Sequence, residues 1–185
     1  MCNVVVSRYV VNPYHNVVDY THVKPNMETM FENIKKDIHR GKNKSKQVDE
    51  CGIILFNKNF TKVLIVYQNH SNKWGFPKGK MLDDEKHFKQ YFKCASRELN
   101  EETGVNFKFI SKNSYYKHDE KIIIKNKMLY VVLIDEKHVK YCNPYDTEEI
   151  REARWINTND LCSFIKRNNC NITLRHVWEN YMIPR

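Results

Sequence analysis

Glu98, Glu101 and Glu102 are the residues in this sequence whose type and spacing most directly suggest chemistry. At about 100° per residue, a helix would set Glu101 about 60° to one side of Glu98 and Glu102 about 40° to the other, so all three carboxylates would leave one strip of helix surface. Like charges at that spacing cost roughly 0.2 to 0.5 kcal/mol per pair. No lysine or arginine follows any of the three at three or four residues to relieve them. A hard, oxygen-seeking cation would do so. Mg²⁺ takes one or two carboxylates and shares the rest of its shell with water and phosphate oxygens, a better match to this donor set than zinc. The competing interpretation is a solvated acidic helix face, which carries no chemistry.

The flanking residues supply the elements that would hold such a cluster. Asp83 and Asp84 offer an N-cap, and Phe88, Phe92, Ala95 and Leu99 recur as an apolar stripe. Gly104 provides a left-handed stop, so the pattern predicts one helix from about residue 85 to 103. Upstream, Pro77 and Gly79 predict a turn whose backbone can approach a ligand closely, with Lys78 and Lys80 bringing positive charge suited to phosphate.

Gly79, Glu85 and the block Arg97-Glu98-Leu99-Asn100-Glu101-Glu102-Thr103-Gly104-Val105 resemble the Nudix box. The spacing departs from that pattern once: eleven residues rather than seven separate Glu85 from Arg97. Four extra residues rotate a helix by about 400°, so an added turn would keep Glu85 near its expected face. By this resemblance Glu98, Glu101 and Glu102 bind metal or activate water, Arg97 orients them by ion pairing, and Gly79 lends its carbonyl to the metal. The resemblance also implies a further acid from outside the box. Glu149 is the first candidate, because Glu149-Ile150, then four residues and Trp155, is similar to the segment supplying a late glutamate in messenger RNA decapping members; Glu148 and Glu152 are alternatives.

Trp74-Gly75-Phe76-Pro77-Lys78-Gly79-Lys80 is similar to the opening of the box in decapping members, including those of large DNA viruses. The resemblance therefore implies an α/β protein with the Nudix α/β/α sandwich over a mixed sheet, a Mg²⁺ or Mn²⁺ cofactor, and capped RNA as substrate, with no DNA specificity. The implied reaction releases 7-methylguanosine diphosphate and RNA with a 5′ monophosphate. Glu101 or Glu149 would take the proton from water, while Lys78 and Lys80 would stabilise polyphosphate charge. Trp74 is a candidate for stacking on the base and equally a candidate for the core; Tyr14, Tyr20, Tyr115 and Tyr116 are further options. Hydrolysis of dinucleoside polyphosphates or other small nucleotides is the alternative activity, and a non-catalytic RNA-binding module is a third reading. The intact glutamates argue against that third reading.

The chain has 185 residues and a net charge of +9 from 31 basic and 22 acidic side chains, a balance suited to a polyanionic substrate. Its six cysteines show no C-x-x-C pair or zinc spacing, so free thiols in a reducing compartment are expected. The eight histidines form no H-E-x-x-H motif. The longest apolar run, Met128 to Ile134, is far too short to span a bilayer, and the first residues do not form a convincing signal peptide. A cytoplasmic protein is expected, in the host cytoplasm or the virion if the source is viral. Abundant lysine and asparagine accord with such a source.

Three parts are expected along the chain: an N-terminal extension over 1–47 with a short helix and a basic linker, a hydrolase domain over 48–168, and a C-terminal helix within 169–185 packed on it. Met27, Met30, Phe31, Ile34 and Ile38 give the first helix, and Arg40 to Lys46 the linker. Strands are expected at Gly52 to Phe56, Lys62 to Tyr67, Phe107 to Ile110, Lys121 to Lys125, Met128 to Ile134 and Ala153 to Ile156, with Asn126-Lys127 as a tight turn. Thr158 or Asn159 would cap a helix through Ile165, and Ile172 to Tyr181 would form the last helix.

Overall fold

A computed structural model of the protein describes residues 25–39, 47–106, 114–115, 120–135, 139 and 142–183. Helix α1 (Met27–His39) comes first, followed by strands β1 (Glu50–Asn57), β2 (Lys62–Gln68), β3 (Lys73–Gly75) and β4 (Lys78–Lys80). Helices α2 (Asp83–His87) and α3 (Tyr91–Thr103) follow, then strands β5 (Ser114–Tyr115), β6 (Lys121–Ile124), β7 (Lys127–Ile134) and β8 (Ile150–Asn157). A 3₁₀ turn (Thr158–Asp160) leads into α4 (Leu161–Arg167), and α5 (Ile172–Val177) runs into a π-helical turn (Trp178–Met182). The expected strand at Phe107 to Ile110, the linker Arg40 to Lys46, and Tyr14, Tyr20 and Tyr116 lie outside the described residues.

The eight strands among the described residues join one mixed sheet. β1 and β7 run parallel over eight residue pairs, from Glu50 opposite Lys127 to Asn57 opposite Ile134. The other pairings are antiparallel. At its start β1 pairs with β4, and at its far end it meets β2 at Phe56 opposite Val63. The alternation of side chains along β1 and β7 sorts the core into two layers. Cys51, Ile53 and Leu55 with Tyr130, Val132 and Ile134 pack beneath Ala95 and Leu99 of α3. Ile54 and Phe56 with Leu129, Val131 and Leu133 face Met30 and Ile34 of α1 and Leu174, Trp178 and Tyr181 of the C-terminal segment. The result is the expected α/β/α sandwich. Tyr181 donates its hydroxyl to Asp37 at 2.8 Å, and Asn33 donates to the Tyr181 carbonyl at 3.3 Å, tying the last helical turn to α1.

The local expectations need correction at several points. Leu82 holds the N-cap position of α2 and Asp160 that of α4, so Asp83 and Asp84 lie inside the first turn of α2, and neither Thr158 nor Asn159 caps α4. The single helix over 85–103 is two helices. α2 ends in a Schellman arrangement in which Gln90 N–H donates to the Glu85 carbonyl and Lys89 N–H to the Lys86 carbonyl, with Lys89 at a left-handed φ of 52°. The four extra residues are therefore used up in a break rather than in an added turn. Phe88, expected in the buried stripe, is 66% exposed at that break. Gly79 lies in β4 opposite Cys51 rather than in a turn, because Pro77 alone carries the bend between β3 and β4. The tight turn before β7 falls on Lys125-Asn126, one residue earlier than expected, with Lys125 taking the positive φ of 58°.

Cys51, Cys94, Cys142, Cys162 and Cys170 are free thiols, as their spacing implied. Among the described residues, no helix is long and apolar enough to cross a membrane.

Candidate active site

α3 packs against β1 and β4, which brings its C-terminal half against the Lys78–Gly79 backbone. Its end is set by Gly104, whose φ of 73° and N–H to the Asn100 carbonyl at 2.8 Å form the left-handed stop. Glu98 and Glu102 are 7% and 2% exposed, while Glu101 is only partly covered. Gly79 makes the close approach possible, since a Cβ there would sit 2.2 Å from the Glu98 carboxylate.

Arg97 organises the acids. Its guanidinium donates to both oxygens of Glu85 at 3.1 Å, to Glu98 at 2.8 Å, to Glu101 at 2.8 Å and to the Lys80 carbonyl at 2.9 Å. The relief that the sequence seemed to lack downstream of the glutamates thus comes from upstream, from the residue four before Glu101. Glu85 is fully buried and also accepts from Leu82 N–H at 2.9 Å. Burial alone would raise its pKa, but the Arg97 and Leu82 hydrogen bonds outweigh it and hold the carboxyl below the usual range. Glu85 therefore anchors Arg97 despite the altered spacing.

Because Arg97 holds Glu98 and Glu101, the three carboxylates of α3 do not converge on one point. Among the described residues, no three acidic, histidine or cysteine side chains form a ready-made metal cage. The donor chemistry nevertheless fits a hard divalent ion. One oxygen of Glu102 accepts from Lys78 N–H at 2.9 Å, while the other, Oε1, is buried without a hydrogen-bond donor. An orphaned buried acceptor of this kind costs roughly 1–3 kcal/mol unless something positive meets it. Burial pushes Glu102 up to about 8, with the neighbouring charges of Glu98 and Glu149 adding to the rise against the Lys78 N–H. Burial likewise pushes Glu98 up to about 7, with Glu101 and Glu149 adding to it and Arg97 opposing it. A bound cation would reverse both shifts.

Of the three late acids, Glu149 is the one whose charge is felt at both Glu98 and Glu102. It is exposed in a turn where Asp146 accepts from Glu148 N–H at 3.1 Å and from Glu149 N–H at 2.9 Å. Glu148 is exposed in the same turn, and Glu152 lies on β8 paired with Arg154. Lys80 is exposed beside the cluster. The Lys78 ammonium instead reaches Glu50 at 2.8 Å, and Lys127 holds the other Glu50 oxygen. Sequence reasoning missed this clamp, since nothing in a glutamate at a strand start signals two lysine partners from other strands.

Trp74 lies in the core, 6% exposed. Tyr67 and Phe164 pack edge-on against its ring, and the Arg154 guanidinium sits 5.2 Å from the ring centroid. That burial supports the core role of the two that the sequence left open.

The sequence matches the NUDIX domain family over residues 46–176. It is 27% identical over 126 residues to the m7GpppN-mRNA hydrolase of Saccharomyces cerevisiae, covering 67% of this chain and 12% of that protein. It is 31% identical over 128 residues to a putative mRNA-decapping protein of Acanthamoeba polyphaga mimivirus, covering 60% of this chain and 33% of that protein. The chain thus spans a third or less of the length of these relatives. Among solved structures, a Nudix hydrolase from M. smegmatis, RenU, shares the fold with a TM-score of 0.53 at 12% identity, covering 72% of this chain and 82% of that one.

Proposed function

The chain belongs to the Nudix hydrolase family, and on that premise we propose that it removes the 5′ cap of messenger RNA, releasing 7-methylguanosine diphosphate and 5′-monophosphate RNA. The observation that carries the hydrolytic part is the orphaned, buried Oε1 of Glu102, on the same helix whose Glu98 carboxylate packs against Gly79. The choice of substrate is supported by the decapping names of the two curated relatives and by the net charge of +9. Cytoplasmic action on RNA belongs to the same proposal.

Glu98, Glu102 and the Gly79 carbonyl would hold Mg²⁺ or Mn²⁺, with Glu101 available as a further ligand. When bound, the ion polarises phosphate oxygens and lowers the pKa of coordinated water. Glu149 or Glu101 then accepts the proton from the attacking water. Arg97, anchored by Glu85, keeps Glu98 and Glu101 in register, which is positioning rather than bond-making. Lys80 meets the polyphosphate directly. Lys78 first has to give up Glu50, while its N–H continues to fix Glu102.

The test is incubation of the pure protein with Mg²⁺ or Mn²⁺ and cap-labelled RNA, resolving the released nucleotide. The expected product is 7-methylguanosine diphosphate, lost in Glu101→Gln or Glu149→Gln according to which carboxylate serves as base. Cleavage of dinucleoside polyphosphates alone would make the chain a small-nucleotide hydrolase. Capped RNA bound but never cut would make it a binding module.

A further inference from the structure

Glu50 opens β1 and holds two lysines at once. Lys78 Nζ donates to one of its oxygens at 2.8 Å, and Lys127 Nζ donates to the other. All three side chains are largely covered, at 13% exposed for Lys78, 18% for Glu50 and 20% for Lys127. Burial alone would raise the Glu50 pKa, but the bonds from Lys127 and Lys78 outweigh it and keep the carboxyl below the usual range. The carboxylate therefore has one ammonium more than its charge requires.

The two lysines are held differently. Lys127 lies directly opposite Glu50 in the parallel pairing of β1 with β7, and Asp49 and Glu50 N–H both donate to the Asn126 carbonyl next to it, at 2.9 and 3.3 Å. Lys78 reaches Glu50 from β4, where its own partner is Gly52. A Cβ on Gly52 would stand 2.4 Å from the Lys78 Cβ, so the bare glycine leaves room for the lysine stem. The Lys78 backbone is fixed on both sides. Its N–H donates to Glu102 at 2.9 Å, and the preceding Pro77 carbonyl accepts from Ile53 N–H at 3.1 Å. The Lys78 charge is felt at Glu102, whose second oxygen is the orphaned one. The flexible four-carbon stem of Lys78 can thus turn while its backbone keeps its place beside Glu102. Stranding a buried carboxylate is strongly destabilising, and a second lysine on Glu50 removes that obstacle to the departure of the first.

Resting on the hydrolase reading above, we infer that Glu50 is a positioning residue that competes with the substrate for Lys78. An arriving polyphosphate draws the Lys78 ammonium off Glu50, and Lys127 stays behind to neutralise the carboxylate. Glu50 thereby sets how much negative charge a ligand must bring before Lys78 joins it. That favours a polyphosphate bridge over the singly charged phosphodiesters within an RNA strand.

The test is calorimetric titration of the full chain, in Mg²⁺, with inorganic imidodiphosphate, a polyphosphate mimic whose bridging nitrogen resists hydrolysis. Glu50→Gln is expected to bind it about three- to tenfold more tightly than wild type, and Lys78→Met less tightly. In the Lys78→Met background Glu50→Gln adds nothing. Lys127→Met weakens binding while Glu50 is present and leaves it unchanged in Glu50→Gln. Glu50→Gln binding no more tightly than wild type overturns the inference, as does equal tightening with and without Lys78, which would mark a general change of field. If Glu50→Gln does not fold, Lys127→Met carries the test, and a weakening that persists in full without Lys78 overturns the inference. Cleavage assays separate this outcome from the parent reading, since the KM for capped RNA should fall in Glu50→Gln while kcat changes less. Capped RNA cut by wild type and Glu50→Gln with the same KM removes the role of Glu50 and leaves decapping standing. The expected affinities without cleavage of capped RNA keep Glu50 and remove decapping. Wild-type protein that neither binds imidodiphosphate nor cuts capped RNA overturns both.

Discussion

Glu85→Gln probes the anchor that survives the four-residue insertion. Wild-type Glu85 has no exposed surface, and its two oxygens take two bonds from Arg97 and one from Leu82 N–H. Glutamine keeps a single acceptor. If its oxygen stays with Leu82 and Arg97 Nη2, its NH₂ faces Arg97 Nε, donor against donor. Removing one partner of a buried ion pair costs about 3–5 kcal/mol when the other charge is stranded. Arg97 retains Glu98 and Glu101 and its side chain is 24% exposed, so the cost falls to the lower limit of that range or below it, about 2–3 kcal/mol. For a chain of this length that is a fall in Tm of roughly 4–12 °C. Chemical denaturation of Glu85→Gln, Arg97→Met and the double variant forms a cycle in which the pair should couple by at least ~1 kcal/mol. Hydrolysis by Glu85→Gln should fall in kcat more than it changes KM, because the released Arg97 no longer holds Glu98 and Glu101 in place. A stability change below ~0.5 kcal/mol, or additive single variants, would refute the claim that Glu85 anchors Arg97.

Three further outcomes follow from the same geometry. Glu98 and Glu102 are pushed up to about 7 and 8 from an ordinary 4.5, so the folded chain holds protons that the unfolded chain releases. Metal-free stability should therefore decline as pH rises from about 4.5 through 8 and level off above it, and Mg²⁺ should raise Tm more at pH 8.5 than at pH 6, as thermal melts with and without the ion would record. Gly79→Ala drives a methyl to within 2.2 Å of the Glu98 carboxylate, so kcat should fall about a hundredfold in steady-state assays while stability drops by only ~1–3 kcal/mol. Gly104→Ala and Lys89→Gly should move stability in opposite directions in urea titrations. The first should lose ~1–3 kcal/mol, because φ is +73° and the Asn143 carbonyl is in the way. The second should gain ~0.5–1 kcal/mol by placing glycine at a left-handed φ of 52°.

Much of this site was legible along the chain, and for local reasons. The 3.6-residue repeat placed Glu98, Glu101 and Glu102 on one strip and Ala95 and Leu99 beneath it, and the apolar runs marked β1 and β7 as strands, although runs buried on both faces do not tell which side meets which layer. Gly104 announced its own left-handed stop. Other features had no local signal. The break after α2 rests on a lysine where glycine is usual, so the run over 85–103 reads as one helix until the chain folds. β3 and β4 have three residues each, too few to show any period.

By itself, the sequence determined the longer strands and their order, the acidic strip and the membership of a family, because each depends on neighbours a few residues apart. Only the tertiary structure decided that Glu85 meets Arg97, that Glu50 grips Lys78, that Trp74 is walled into the core, and that Tyr145 and Glu149 share a turn hung from the end of α3. Those partners are separated by 12, 28 or more than 40 positions. Such pairings are selected by the summed packing of two layers on one sheet, a property that no single stretch of chain contains.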